Sequence, residues 1–595
     1  MAEGGKAVQE ELSLPILLAD RVIKSAQEAE SSKGDCGELA KQADRLSQKL
    51  RAAARIIAAA APGAVYERPL RRIAADVSKN LDRALTLTRK CRRRSGFFPH
   101  LFAITTSGDF RRAAAHLDSS AADLAWLLSI FDDSEGGANL SLPPIASNDP
   151  TVAMLWSSIA SVQMGQLRDR VDSADYLASL ALINDRNKKM IVEEGGVGPL
   201  LKLLKEGASP EAQVAASTAL LNLGNDQERV QSIAGEFAVQ VIVKVLGDSP
   251  MRVQVAVANL VARMAEMDPE TQEEFGRANV TRPLLTWLSM DIVLGDTKLE
   301  SGKTSIHSLV EMNKELARNP FINSHHSNSS SSLKKERSVE SPELKLELKI
   351  SCANALCKLS RESLLNSRKI TETKGLLCLA KLIEKEKGEL QTYCLMVVME
   401  LAAVAELNTE LRRAAFKPNS PAAKAVLEQL LRVIDEENSP TLLIPAIKSI
   451  GYLSRTFPAK ETRIISPLVT QLEHRNADVA TEAVIALTKF ASPDNFNCVD
   501  HSKAIIICDG VPRLVNVIRT NSRDQVHGLV LLCYLALNVG NSKALEQARA
   551  LNVIEGTARS ILAQYPEQRE LFAKTIHHLT LYQAGAHNHR QGYAT

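Results

Sequence analysis

The chain has 595 residues, of which 45% are hydrophobic and only 4% are aromatic. This length exceeds one ordinary hydrophobic core. Ala and Leu carry the apolar content, which favours closely packed helices over a β-sandwich or a ligand-pocket enzyme. The net charge of +3 is too close to neutral for a protein that binds nucleic acid over its whole surface.

Residues 1–131 have the apolar spacing of four amphipathic helices, and their short links favour an antiparallel four-helix bundle. We place the breaks at Gly34, at Pro62–Gly63 and between Gly96 and Gly108. The segment from Tyr66 to Arg112 carries 12 Lys/Arg and 4 Asp/Glu, a local excess of +8. Residues 132–150 are a linker by composition.

The third link of the bundle is both basic and aromatic. One interpretation is a patch for anionic membrane or an acidic partner, and the other is a link that packs against the bundle or the repeats. The residues concerned are Arg92, Arg93, Arg94, Phe97 and Phe98.

Nine Ala- and Leu-rich helical segments recur from residue 173 onward, mostly at spacings near 40 residues, as in armadillo or HEAT units. The clearest unit is 187–223. There Gly195–Gly196 end a short helix, Val197–Leu204 supply the apolar stripe of a second helix, and Ser209–Pro210 begin a third. The sequence therefore predicts an all-α, right-handed superhelical armadillo solenoid behind the bundle.

The repeats divide into about three in 151–291 and about six in 344–583. Residues 292–343 interrupt the period, and their Ser-rich composition predicts disorder. Ser338 and Ser341 are candidate phosphorylation sites there. A second short insertion is predicted at Lys417–Pro421, and a flexible tail at 584–595.

No catalytic motif stands out. The SGKT sequence at 301–304 has Thr297 where a phosphate-binding loop needs Gly. We therefore predict a non-enzyme with no cofactor, no metal and no small-molecule substrate. The nine scattered cysteines, without a CxxC pair, and the polar N-terminus predict an intracellular protein without a signal peptide.

Third helices line the groove of an armadillo array, so the residues at the recurring register position are candidate partner contacts. The alternative for each is a solvated side chain or a cap on a neighbouring helix. The candidates are Asn222, Arg263, Lys358, Tyr452, Lys489 and Tyr534.

A nuclear import receptor of the importin-α type would carry Trp four residues before that register position. From the second unit onward none of these positions is Trp, which speaks against import of basic targeting peptides. They hold Thr218, Asn259, Asn354, Met396, Lys448, Ile485 and Val530.

Long segments give a closer resemblance: EELSLPILLADRVIKSAQEAESSK (10–33), RRRSGFFPHLFAITTSGDFRR (92–112) and SNDPTVAMLWSSIASVQMG (147–165). With the Ser-rich interruption, they resemble the plant armadillo-repeat-only family over nearly the whole chain. This resemblance implies a cytoplasmic scaffold in polarised tip growth, linked to Rho-type small GTPases and their regulators, with membrane association at growth sites.

The front bundle also resembles the helical domain that precedes armadillo repeats in plant U-box ligases. Because no U-box is evident, that alternative is a regulatory adaptor without ligase activity.

Overall fold

The structure is a computed structural model that describes residues 8–59, 65–92, 107–131, 150–292, 340–520 and 525–591. Every regular element in those ranges is a helix, which confirms the predicted all-α class. The chain divides into two compact units, residues 1–260 and 261–595, which are described separately below.

The first unit begins with four helices: α1 (Val8–Gln27), α2 (Lys33–Ala59), α3 (Arg68–Lys90) and α4 (Ser107–Phe131). Helix α1 packs on α2 and α3, and α4 packs on the same two helices. A break between helices was predicted at Gly34, but this residue lies inside the first turn of α2. The chain turns just before it, at Ser32, whose φ is +47°.

The rest of the first unit is also helical, and from α7 onward two short helices precede each longer, Ala-rich helix. They are α5 (Pro150–Met164), α6 (Leu167–Ile183), α7 (Asp185–Glu193), α8 (Val197–Glu206), α9 (Pro210–Leu223), α10 (Gln227–Ala234), α11 (Ala238–Asp248) and α12 (Met251–Met267), which crosses into the second unit. Helix α9 packs on α6 and α8.

The second unit continues with helices α13 to α29. They are α13 (Pro269–Arg277), α14 (Thr281–Leu288), α15 (Pro342–Ser360), α16 (Leu364–Glu372), α17 (Gly375–Lys385), α18 (Glu389–Leu407), α19 (Thr409–Ala415), α20 (Pro421–Glu436), α21 (Pro440–Tyr452), α22 (Ile465–Thr470), α23 (Ala477–Ala491), α24 (Cys498–Ile507), α25 (Gly510–Thr520), α26 (Gln525–Asn538), α27 (Lys543–Gln547), α28 (Ala550–Gln564) and α29 (Arg569–Gln591).

The unit at 187–223 shows why three helices form. Gly195 has φ +80°, which turns the chain after α7. Ser209 is the N-cap of α9, where its hydroxyl oxygen accepts a hydrogen bond from the Ala212 N–H. Leu200 and Leu220 are fully buried between the helices. These features confirm the local geometry predicted from the sequence.

A residue with positive φ precedes the second helix in five further units, although none of these residues is glycine. They are Phe237, Asn279, Lys374, Asp509 and Arg549, with φ between 53° and 63°. The sharp turn between first and second helices is therefore a property of the repeat and not of a Gly-Gly sequence.

The third helices of the second unit form one continuous row. Helices α15, α18, α21, α23, α26 and α29 each pack against the next. Helix α18 is long and apolar enough to cross a membrane by length and composition, with a mean hydropathy of 1.5. It lies between α15 and α21 with Leu395, Val398 and Leu401 fully buried, so we describe it as a core helix of this row.

Boundaries at the ends of two segments differ from the sequence prediction. Helix α15 begins at Pro342 behind the N-cap Ser341, inside the predicted interruption, because Ser-Pro-Glu is a good helix start. Residues 293–339 lie outside the described part of the chain. Helix α29 continues to Gln591, past the predicted boundary at 583, because the tail begins without a helix-breaking proline.

Candidate functional site

All six predicted contact residues lie on third helices: Asn222 on α9, Arg263 on α12, Lys358 on α15, Tyr452 on α21, Lys489 on α23 and Tyr534 on α26. Each is half-buried. Asn222 belongs to the first unit and the other five to the second.

The Asn222 side chain forms a hydrogen bond within the protein. Its side-chain N–H donates a 3.1 Å hydrogen bond to the backbone oxygen of Ala178 on α6. Asn538, at the end of α26, does the same for the Ala491 oxygen at 2.9 Å. In both cases an asparagine near the end of a third helix thus links that helix to the preceding third helix.

Lys358 forms an ion pair with Glu266. The Nζ–Oε1 distance is 2.6 Å, and 24% of the lysine side chain and 32% of the glutamate side chain are exposed. No carboxylate of the described ranges lies within ion-pair distance of Arg263, three residues before Glu266. Of these two predicted cations, Lys358 is neutralised and Arg263 stays available.

Tyr452 and Lys489 come together across two adjacent helices. The Lys489 Nζ lies 5.0 Å from the centre of the Tyr452 ring, a distance that permits a cation–π contact. The same Nζ lies 2.5 Å from a carboxylate oxygen of Glu406, at the end of α18. Lys489 thus reaches over α21 to join three helices of the row.

A further ion pair joins Lys448 to Glu482 at 2.9 Å. Burial lowers the pKa of Lys448, but the hydrogen bond and charge of Glu482 more than offset this, so the pKa is raised. Burial raises the pKa of Glu400, against the opposing charges of Arg361 and Lys358. Glu400 therefore lies among the cations of this face.

Tyr534 lies near the other end of the row. Burial raises the pKa of its hydroxyl, and the nearby charge of Asp494 adds to this. Asp494 in turn pairs with Arg455 at 3.4 Å. Charged and tyrosine side chains thus extend along the row from Lys358 on α15, which pairs with Glu266 of α12, to Tyr534 on α26.

We call the surface defined by Arg263, Glu266, Lys358, Glu400, Glu406, Lys448, Tyr452, Glu482, Lys489 and Tyr534 the third-helix face. It carries four carboxylates and four cations, mostly in contact with one another. Such a surface has little net field and offers alternating hydrogen-bond donors and acceptors. It suits a polar segment of mixed charge better than a highly charged one.

Sequence reasoning did not place the four glutamates of this face among the candidate contacts; they are Glu266, Glu400, Glu406 and Glu482. The sequence spacing could have identified two of them, because Glu266 follows Arg263 by three residues and Glu482 precedes Lys489 by seven. Residues at these spacings share one face of a helix.

Several basic residues of the front helices form ion pairs within the protein. Arg92 pairs with Glu28 at 2.8 Å, and Arg71 pairs with Glu11 and Glu67. Arg93, Arg94, Phe97 and Phe98 lie outside the described residues, as does Ser338. Ser341 is exposed, and its hydroxyl oxygen accepts a 3.2 Å hydrogen bond from the Leu344 N–H.

The start of α3 contacts the end of α7 and the turn that follows it. The Tyr66 hydroxyl donates a 2.6 Å hydrogen bond to the backbone oxygen of Glu194, and the Arg68 side chain donates to the backbone oxygen of Glu193. Arg72 lies 5.3 Å from the Trp156 ring centre and 3.4 Å from the Glu194 carboxylate. The basic front thus serves in part to hold the four front helices against the first repeats.

Comparison with protein families gives two matches. Residues 9–132 match the family described as "Domain of unknown function (DUF7792)", and residues 184–224 match the armadillo/beta-catenin-like repeat. No curated protein matches the chain.

Solved structures similar to the chain include engineered proteins. One, from the Northeast Structural Genomics Consortium, is 20% identical with a TM-score of 0.45, and the match covers 71% of this chain and 98% of that one. A designed armadillo repeat protein and another in complex with the peptide (KR)4 are each 16% identical with a TM-score of 0.36, covering 50% of this chain and 98% of theirs. With its short–short–long helix order and the family match at 184–224, the chain resembles armadillo repeat solenoids.

Proposed function

We propose that this chain is a non-enzymatic scaffold that holds segments of partner proteins along the third-helix face. The observation that carries this proposal is the unbroken row of packed third helices with paired charges and two tyrosines on one face. A right-handed superhelical course and an antiparallel four-helix bundle at the front belong to the same proposal.

The spacing of the row favours an extended ligand. Packed helices lie about 8–10 Å apart, and an extended peptide rises about 3.3 Å per residue. Every third residue of such a peptide would therefore meet a new helix. Because Lys358 and Lys489 already hold glutamates, the peptide must offer both signs of charge to exchange with these ion pairs.

Arg263 provides the test, because it is the cation of the face without an ion pair among the described residues. Capture of partners from cell extract by the full chain, quantified by mass spectrometry, should lose a defined set of proteins in Arg263→Glu. Arg282, which is equally half-buried but lies on the second helix α14, is the matched control. Capture unchanged by Arg263→Glu, at an unchanged melting temperature, would contradict the proposal.

On the strength of the family resemblance, the proposed partners are Rho-type small GTPases or their regulators in polarised growth of plant cells. The proposed location is the cytoplasm, at the periphery of the plasma membrane where growth occurs. Proximity labelling with the full chain in growing cells, again comparing wild type with Arg263→Glu, tests both. Labelling that contains no GTPase or regulator would reject this assignment.

The second proposal is that the front helices bind anionic membranes, which is supported by the excess of +8 charges between Tyr66 and Arg112. The full chain should float with vesicles that contain phosphatidylserine but not with pure phosphatidylcholine vesicles. Arg93→Gln with Arg94→Gln should reduce flotation, whereas Arg92→Gln should change it less because Arg92 pairs with Glu28. Equal flotation with both vesicle types would reject charge-dependent membrane binding.

A further inference from the structure

Two cysteines that are far apart in the sequence meet at one end of the four front helices. Cys36 lies at the start of α2, and Cys91 is the C-cap residue of α3. Their thiols share a side-chain hydrogen bond. Cys36 is fully buried and Cys91 is 4% exposed, so the contact between the two thiols lies inside the protein.

The backbone around the two cysteines is held by hydrogen bonds. The N–H groups of Glu30 and Ser31, in the turn between α1 and α2, donate to the backbone oxygen of Cys91 at 2.9 Å and 3.3 Å. The Cys36 N–H donates to the backbone oxygen of Ser32, in the same turn, at 2.9 Å. Both cysteines are therefore tied to one turn, which limits the movement of their backbones relative to each other.

A covalent bond at this point would join two helices that otherwise have little direct contact. Helices α1 and α4 each pack on both α2 and α3, and these two pack mainly on α1 and α4 instead of on each other. A bond between α2 and α3 would also close a loop from residue 36 to residue 91. Cross-links that close long loops restrict the unfolded chain and so stabilise the folded one.

Other cysteines of the chain are placed less favourably for a disulfide. Cys498 and Cys508 lie at the two ends of α24, about 15 Å apart by the rise of a helix, whereas a disulfide needs Cα atoms within about 7 Å of each other. Cys352 and Cys357 are five residues apart on α15 and point to different sides of that helix. The half-buried pair Cys498 and Cys508 is therefore a suitable control.

We propose that Cys36 and Cys91 are a modification site, at which oxidation of the folded protein forms a reversible disulfide between α2 and α3. With hydrogen peroxide as the oxidant, one thiol sulfur attacks a peroxide oxygen, which yields a sulfenic acid and one water. The other sulfur then displaces the hydroxyl group, which leaves as a second water. Both thiol protons end in the two waters, and two electrons pass from the sulfurs to the peroxide.

The rate of this reaction is set by the protonation of the thiols. Burial and the hydrogen bond with Cys91 raise the pKa of Cys36 to about 12. Because the thiolate is the form that attacks, a buried and protonated thiol reacts slowly at neutral pH. Disulfide formation should therefore be slow at neutral pH and become faster as the pH rises.

The test oxidises the full chain in its folded state with hydrogen peroxide and maps the products by peptide mass spectrometry without reduction. Trypsin cuts on both sides of each cysteine, so the disulfide joins peptide 34–41 to peptide 91–92. This linked peptide should contain more than half of all Cys36. Dithiothreitol added to the same oxidised sample should remove the linked peptide and lower the melting temperature.

Cys91→Ser should abolish both the linked peptide and the effect of dithiothreitol on the melting temperature. The double variant Cys498→Ser with Cys508→Ser should keep both. In the oxidised wild-type chain, recovery of Cys36 as a free thiol, a link from Cys36 to a different cysteine, or conversion of Cys91 to a sulfinic acid overturns the proposal. A melting temperature that dithiothreitol leaves unchanged also overturns it. The peptide map of the wild-type chain decides the matter even if Cys91→Ser fails to fold.

Discussion

The indole N–H of Trp156 donates a 2.8 Å hydrogen bond to the carboxylate of Glu194. The same carboxylate accepts from Arg72 at 3.4 Å, and Arg72 lies against the Trp156 ring. One glutamate in the turn of the first clear armadillo unit therefore joins α5 to α3. The four front helices and the first repeats share this contact instead of folding as unrelated parts.

Glu194→Ala should lower the free energy of unfolding of the first unit by about 1–3 kcal/mol, because it leaves the indole N–H of the buried Trp156 without its acceptor. Glu193→Ala is the matched control: its side chain is 60% exposed and pairs, among the described residues, with Lys189 at 3.8 Å. That change should cost less than about 0.5 kcal/mol. Urea denaturation of both variants measures the difference, and equal losses would contradict the assigned role of Glu194.

The ion pair between Lys358 and Glu266 gives a second prediction. Lys358→Glu places two carboxylates together and should destabilise the second unit by about 1–2 kcal/mol. The exchanged double variant, Lys358→Glu with Glu266→Lys, should recover most of that loss, because it restores the pair with reversed polarity. Thermal unfolding of the four proteins of this cycle measures the coupling. A double variant no more stable than Lys358→Glu would show that the contact is not formed.

The stability of the second unit should depend on the protonation of Glu400. Burial raises the pKa of this carboxyl above its ordinary value of 4.5 in the folded state, so the folded protein binds the proton more tightly than the unfolded chain. Its contribution is fully present below the unfolded pKa and is lost as the pH rises through the folded pKa. Glu400→Gln should flatten this part of the pH profile of the melting temperature, with the difference from wild type largest above the folded pKa. An unchanged profile would contradict the assignment.

The repeat arrangement could be predicted because Ala- and Leu-rich segments recur at helical spacing, and the turn at Gly195–Gly196 has a clear local signature. The other turns could not be predicted from glycine, because Phe237, Lys374 and Arg549 adopt the same left-handed backbone without it. Their conformation is imposed by packing of the helices on either side, which overrides the local preference of the residue.

The third-helix face was predicted only in part, because its ion pairs join residues far apart in sequence. Lys489 meets Glu406, 83 residues away, by crossing over α21. Which lysine reaches which glutamate depends on how the helices are stacked, and this does not follow from the period alone. The absence of an α-helical first helix between Tyr452 and Ile465 could not be predicted either, because the spacing of the third helices is maintained across this repeat.

The cysteines should differ sharply in reactivity toward thiol reagents. All nine are free; Cys498 and Cys508 are half-buried and the other seven are buried. Burial raises the pKa of Cys357 and of Cys533 to about 12, so these thiols stay protonated at neutral pH. Maleimide labelling of the native chain followed by peptide mass spectrometry should modify Cys498 and Cys508 first. Rapid labelling of Cys357 in the folded protein would contradict its placement in α15.

Two neighbouring glycines of the turn between α7 and α8 should respond oppositely to alanine. A Cβ at Gly196 would lie 2.8 Å from Ile191 Cγ2 and 3.0 Å from the Ile191 oxygen, and Ile191 is fully buried. Gly196→Ala should therefore destabilise the first unit by about 1–3 kcal/mol. At Gly198, inside the first turn of α8, a Cβ meets no atom within 4 Å.

Gly198→Ala should accordingly stabilise the unit by up to about 1 kcal/mol, because alanine loses less backbone entropy than glycine when it enters a helix. Chemical denaturation of the two single variants measures both effects in the same structural context. If both changes stabilised the protein, the close approach of Ile191 to this turn would be absent. If both destabilised it, a cause other than the Cβ contact would have to act at Gly198, because that position has open space around it.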